Sequence, residues 1–272
     1  MAIPMIDPIR NALAELETRN GIKVLFAAES GSRAWGFASP DSDYDVRFIY
    51  APPLAWFLNV EEPRDVIEAM LPGDLDLSGW ALSKALRLYH KNNCALFEWL
   101  DSPVIYHEHG TLAQRLRTLL PRIFRQPAAY HHYWRTAVNV YETALSTDPV
   151  KLKRMFYVLR PLLCCRYILA HRRQPPTAFA SLVEACLHDP IDRQALADLQ
   201  AEKVQVGEGH LVTLSAFWRD WLRREFAAAE AVVGELKSDA DVPLAELNGV
   251  LREVLIELWP AELPALLRIQ DE

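Results

Sequence analysis

Residues 31 to 45 read Gly31-Ser32-Arg33-Ala34-Trp35-Gly36-Phe37-Ala38-Ser39-Pro40-Asp41-Ser42-Asp43-Tyr44-Asp45. The stretch follows an apolar run, Ile22 to Ala28, broken only by Lys23, which predicts a buried strand. A Gly-Ser pair at the end of such a strand can offer backbone N–H groups and a hydroxyl to a phosphate. Ten residues separate Ser32 from Asp43, and Asp45 follows two later. On a strand, side chains at i and i+2 share a face, so the two carboxylates are neighbours. Burying them bare is expensive or forces protonation. A divalent cation removes that penalty, and Mg²⁺ favours one or two carboxylates together with substrate phosphates. The competing reading is that Asp41, Ser42 and Asp43 cap a turn and that Asp45 pairs with Arg47 or Arg33.

Outward from this stretch, Asp7-Pro8 predicts the start of an amphipathic helix that Gly21 ends. Tyr44 to Tyr50 alternates as a strand, with Asp45 and Arg47 on one face and Val46 and Phe48 on the other. Val66 to Met70 and Asp74 to Leu77 read as two short strands around the turn at Leu71-Pro72-Gly73. Asp76, an acid between Leu75 and Leu77, is the best candidate for a third carboxylate; Asp74, on the same alternation face, is the alternative. Helices are expected over Ser78 to Lys91 and Ala95 to Leu100, then a short strand over Val104 to Tyr106. His107 and His109 lack partner ligands at metal spacing and are read as loop residues.

From about Thr111 the pattern becomes helix after helix. The expected organisation is therefore a catalytic α+β domain over residues 1–110, a small mixed sheet with helices on one side, followed by an all-α domain over 111–272. The 272 residues and 51% hydrophobic content suit such a two-part chain. The net charge of −7 argues against extensive nucleic-acid contact, because neutralising many phosphates needs surplus Lys and Arg. An aromatic and basic cluster, Tyr130 to Arg135, could still stack bases of a short single strand. No apolar run is long enough for a membrane span, and Met1 to Arg10 lacks the pattern of a signal peptide. Four cysteines without CxxC spacing fit reduced thiols and a cytoplasmic setting.

Taken together, Gly31-Ser32 through Asp43-Tyr44-Asp45 resembles the signature of the DNA polymerase β-like nucleotidyltransferases, with Tyr44 replacing the usual aliphatic residue. The fuller text, Glu29 to Gly36 with Asp41 to Arg47, resembles the RNA-repair-associated RlaP branch. Three further blocks are similar to it: Asp76 to Trp80 with Lys84, Asn92 to Pro103, and Lys153 with Tyr157 to Leu163. The resemblance implies that Gly31 and Ser32 bind a triphosphate and that Asp43 and Asp45 hold two Mg²⁺ ions, with Mn²⁺ as a substitute. It implies that Asp76 serves the metal that activates the attacking hydroxyl. Arg33, Lys84, Lys153, Tyr157 and Arg160 are the further nucleotide-binding candidates. Lys153, Tyr157 and Arg160 share one helix face. The implied reaction moves a nucleoside monophosphate from an NTP, ATP being the expected one, and releases pyrophosphate. An RNA end is the expected acceptor. A protein hydroxyl (AMPylation) or a small-molecule hydroxyl remains open, and a catalytically dead nucleotide-binding or assembly module is the reading from another class.

Overall fold

The computed structural model describes residues 5–61, 63–145, 148–237, 243–261 and 263. In chain order the elements begin with Ile6–Asn20 (α1), Lys23–Glu29 (β1), Gly31–Trp35 (α2) and Tyr44–Ala51 (β2). A short 3-10 turn over Leu54–Leu58 precedes Val66–Leu71 (β3) and Leu75–Ala81 (β4). Leu82–His90 (α3), Cys94–Leu100 (α4), Ile105–Glu108 (β5) and Leu112–Ile123 (α5) follow. The remaining elements are Gln126–Ala144 (α6), Val150–Lys151 (β6), Leu152–His171 (α7), Phe179–Cys186 (α8), Pro190–Gln205 (α9), Leu211–Val212 (β7), Ala216–Val232 (α10) and Leu244–Leu258 (α11).

These elements pack as two compact units. The first takes Met1–Ser30, Asp43–Ile123 and Asp241–Glu272; the second takes Gly31–Ser42 and Phe124–Ala240. Neither follows a single cut near residue 110. Helix α5 belongs with the sheet because Tyr89 donates its hydroxyl to the Leu116 carbonyl at 2.6 Å and Asn92 donates to the Ile123 carbonyl at 2.6 Å. Helix α11 joins it through Arg122, whose Nη1 lies 2.7 Å from Glu246.

The first unit is a five-stranded sheet in the order β3-β4-β2-β1-β5. β2 runs antiparallel to β1 and parallel to β4, so the sheet is mixed. Ile9, Leu13 and Leu16 of α1 pack with Val46, Phe48, Tyr50, Leu75 and Leu77 into a core on one face. Helix α1 starts at Ile6, earlier than the Asp7-Pro8 pair predicts, which leaves Asp7 in the first turn beside the positive helix end. Gly21 ends it in a left-handed conformation, φ 61°. By strand alternation Asp45, Arg47 and Ile49 turn to the other face, as do Asp76, Ser78 and Trp80. There Trp80 packs on Trp99 of α4, ring centres 4.1 Å apart. The mixed sheet and its helices match expectation, and the helix expected after Asp7-Pro8 is α1, which packs on the core face.

The second half of β4 differs from the sequence reading. Ser78 to Ala81, expected to open a helix, continue β4, and the helix starts at Leu82. Gly79 lies opposite Phe48 in the register, and a Cβ on it would come within 2.1 Å of the Phe48 ring. A bare backbone is therefore what lets the aromatic ring lie across the strand. His107, read as a loop residue, is on β5, with Nε2 3.2 Å from the Val24 carbonyl oxygen. Burial holds its imidazole below the usual histidine pKa.

The second unit centres on α6 and α7, with α8, α9 and α10 around them and a two-residue ladder between β6 and β7. Phe37 packs on Phe156 and Phe179 at 5.1 and 5.3 Å between centres, which ties the segment carrying α2 into this helical unit. Tyr130 and Tyr133 of the aromatic cluster are buried in α6, while His131, His132 and Arg135 are exposed. The cluster is thus divided between core and surface. Among the described residues no helix is long and apolar enough to cross a membrane. None of the four cysteines is in a disulfide.

Candidate active site

In the first unit, Asp45 and Asp76 stand directly opposite each other on the parallel pair β2–β4. Neighbouring strands lie about 4.8 Å apart, so two like-facing carboxylates at one register position are forced close. Arg47, two residues on and on the same face, resolves the repulsion. Its Nη2 donates to Asp45 Oδ1 and to Asp76 Oδ2, each at 2.8 Å. Its Nη1 also donates to the Asp76 carbonyl at 3.2 Å. The side chains of Arg47, Asp45 and Asp76 are 19, 29 and 31% exposed, so the bridge is sheltered yet open to solvent. The pairing of Asp45 with Arg47 foreseen in the competing reading is therefore real.

The gap between these carboxylates already accommodates a cationic group, and its donors are hard oxygens. Both features fit a divalent cation such as Mg²⁺, which takes one or two carboxylates and completes its shell from water and phosphate. Among the described residues no three His, Cys, Asp or Glu side chains come together as metal donors. Asp43 lies just ahead of β2 and is exposed. Asp74, the alternative to Asp76, sits in the β3–β4 turn with φ 55° and is exposed. Lys84 is engaged by Asp65, Nζ to Oδ1 at 2.8 Å, and Arg87 reaches the same carboxylate at 3.2 Å.

The start of β2 is held by a residue to which the sequence assigns no role. Glu29, at the end of β1, accepts the Asp45 N–H at 2.8 Å and the Tyr106 hydroxyl hydrogen. The Asp45 carbonyl accepts the Ser30 N–H at 2.8 Å.

In the second unit, Gly31 has φ 60°, the left-handed region that costs glycine little. Ser32 is buried, and its carbonyl accepts the N–H groups of Gly36 and Phe37, each at 3.1 Å. Arg33 donates to the Ser42 carbonyl at 2.6 Å, closing the segment on itself. Trp35 gathers the α7 candidates: Arg160 lies over its ring at 4.5 Å and Tyr157 meets it edge-on at 5.3 Å. Arg160 is buried and donates to the Thr177 carbonyl at 3.4 Å. Lys153 lies 5.6 Å from the Tyr157 ring centre and forms an ion pair with Glu208. Glu208 also accepts from the Ser42 hydroxyl at 2.9 Å. Burial pushes the Glu208 pKa up, but the hydrogen bonds from Lys153 and Ser42 and the nearby Lys203 charge outweigh it and hold the carboxyl below its ordinary range. Lys203 is buried, donates to Ser39 Oγ at 2.6 Å, and has its pKa pulled down by that burial. Trp35 and Glu208 carried no sequence signal of these contacts, since their partners lie far along the chain.

A family model described as RlaP, RNA repair pathway DNA polymerase beta family, matches residues 5–253. The chain belongs to that family. It is accordingly a polymerase β-like nucleotidyltransferase. The uncharacterized protein YcgL of Bacillus subtilis (strain 168) is 38% identical over 255 residues, covering 94% of this chain and 98% of that protein. A solved structure of a nucleotidyltransferase-like protein from Exiguobacterium sibiricum 255-15 overlaps 93% of this chain and 80% of its own. Its identity is 14% and its TM-score 0.32, a likeness too slight to bear on the fold.

Proposed function

We propose that this RlaP-family protein transfers a nucleoside monophosphate from ATP to the hydroxyl of an RNA end, in a Mg²⁺-dependent reaction that releases pyrophosphate. The observation that carries the reading is Asp45 facing Asp76 across paired strands, with a cationic group held between them. When bound, Mg²⁺ supplies charge stabilisation to the phosphoryl oxygens and lowers the pKa of a coordinated hydroxyl. Asp45 and Asp76 would hold it, with Asp43 as a further carboxylate from the same stretch. Arg47 is the cationic partner that offsets the charge of both carboxylates in the absence of a divalent cation. The acceptor oxygen bonds to the α-phosphorus as the bond to the bridging oxygen breaks; the hydroxyl proton passes to water. Gly31, Ser32, Arg33, Lys84, Lys153, Tyr157 and Arg160 are the proposed nucleotide contacts. Lys153 and Lys84 are point charges suited to phosphate, and Tyr157 is an aromatic face suited to a base. The family's description as an RNA repair pathway supports an RNA acceptor. An acidic chain favours a short end over a long duplex.

The test is incubation with ATP labelled at the α-phosphate, Mg²⁺ and short RNA, followed by separation of RNA, protein and small-molecule fractions. Label on RNA, absent with Asp45→Asn and with Asp76→Asn, is the expected result. Label confined to protein or to a small molecule overturns the RNA acceptor. Failure to label anything, together with no calorimetric binding of ATP and Mg²⁺, overturns nucleotidyl transfer itself.

A further inference from the structure

We infer that Glu29 is a positioning residue that fixes Asp45 for cation binding; this rests on the reading of Asp45 and Asp76 as the cation's ligands. Glu29 is 1% exposed, at the last position of β1. A buried carboxylate is costly unless its oxygens are hydrogen-bonded, and here the bonds run to one purpose. One oxygen accepts the backbone N–H of Asp45 at 2.8 Å, and the other accepts the Tyr106 hydroxyl hydrogen from β5. The residue is itself held at both ends of its peptide. Its N–H donates to the Val104 carbonyl at 2.9 Å, and its carbonyl accepts the Ser102 hydroxyl at 2.7 Å.

The location explains why a side chain does this. The last pairing between β1 and β2 joins Glu29 to Val46. Beyond it the chain turns away at Gly31, with φ 60°, so Asp45 lies one residue past the paired ladder. Its carbonyl still receives the Ser30 N–H, and its N–H is taken by the Glu29 carboxylate. A side chain thus continues the ladder by one residue, at the residue that must face Asp76. With that N–H fixed, the direction of the Asp45 Cα–Cβ bond is set from β1 and β5, both remote in sequence. Glu29 and Tyr106 act on the cation only through Asp45, so their effect is geometric. Glutamine at position 29 keeps the bond that orients Asp45, since its carbonyl oxygen can accept the Asp45 N–H, while its amide meets the Tyr106 oxygen with the direction of donation reversed.

The experiment measures Mn²⁺ binding to the full chain, with Mn²⁺ alone as the probe, by electron paramagnetic resonance, in parallel with circular dichroism. The variants are Glu29→Gln, Glu29→Ala and Tyr106→Phe. Residues that orient metal ligands from behind typically change metal affinity about 10- to 100-fold, so Glu29→Ala is expected to weaken Mn²⁺ binding at least about 10-fold. Tyr106→Phe keeps the ring and the fold and is expected to weaken it several-fold. Glu29→Gln is expected to stay within about twofold of the unsubstituted protein, because the geometry survives without the charge. Unchanged Mn²⁺ affinity in folded Glu29→Ala, or in Tyr106→Phe should Glu29→Ala not fold, overturns the inference. Glu29→Gln weakened as much as Glu29→Ala also overturns it, since charge would then be the cause. No Mn²⁺ binding by the unsubstituted protein, or binding unaffected by Asp45→Asn, overturns the carboxylate reading and the inference with it.

Discussion

Arg47→Met tests the central arrangement most directly, because the sign of its effect on cation binding separates two roles. Methionine keeps much of the aliphatic bulk of the arginine stem while deleting its charge. Asp45 and Asp76 would then face each other uncompensated at one register position. Two unit charges about 5 Å apart repel by roughly 3 kcal/mol at an effective dielectric of about 20. The carboxylates are 29 and 31% exposed, so solvent and salt reduce this to roughly 1–2 kcal/mol. The unliganded variant should lose about that much stability, a fall in Tm of roughly 2–8 °C for a chain this long. The same energy reappears when a divalent cation enters, since no guanidinium has to be displaced. Mn²⁺ affinity should therefore rise about 5- to 30-fold. Millimolar Mg²⁺ should restore the variant's Tm while moving that of the unsubstituted protein less, since bound cation stabilises in proportion to the logarithm of its saturation. The assays are thermal unfolding with and without Mg²⁺ and a Mn²⁺ titration of both proteins. Equal or weaker Mn²⁺ binding by Arg47→Met would refute the idea that Arg47 holds the cation's place.

Gly79→Ala should cost about 1–3 kcal/mol by denaturant unfolding, because its new methyl would press on the fully buried Phe48 ring. Relief by Phe48→Leu in the double variant would confirm the cause. Glu208→Gln should lower stability at neutral pH, with the deficit shrinking in acid. The sign follows from the direction of the shift: the folded-state pKa of Glu208 lies below its ordinary value near 4.5. Its stabilising contribution is complete above that value and disappears as pH falls through the lower folded pKa. A deficit that is constant from pH 7 to pH 3 would show that charge pairing with Lys153 is not its source.

Much of the sheet was legible because its signals are local. Gly21 ends α1, Leu71-Pro72-Gly73 opens the β3–β4 turn, and the alternation from Tyr44 onward puts Asp45 and Arg47 on one face. The carboxylate at Asp76 was legible for the same reason, being a lone acid in an apolar strand. Ser78 to Ala81 misled because Ser-Gly-Trp-Ala has no strong strand preference; what makes it a strand is hydrogen-bonded register with β2. Glu29 was visible as a letter beside the Gly-Ser pair, yet its meaning depends on Tyr106, 77 residues away. Glu208 depends likewise on Lys153, 55 residues away, and no spacing rule reaches that far. Arg47 illustrates the opposite case, since its nearness to Asp45 in sequence was enough to foresee the ion pair.

The passage of the chain out of one unit at Gly31 and back at Asp43 bears on how this protein can be cut. A fragment ending at residue 123 would keep the strands β1 and β2 but strand the segment between them. Phe37, 4% exposed in the whole chain, would lose Phe156 and Phe179, while α5 would lose α11 and the Arg122–Glu246 contact. Such a fragment carries every carboxylate of the site and still exposes two raw apolar surfaces, one per missing partner. Its expected behaviour is aggregation. For this architecture, insertion and deletion are tolerable only at places that leave both discontinuous units whole, so the two have to be gained, lost and inherited together.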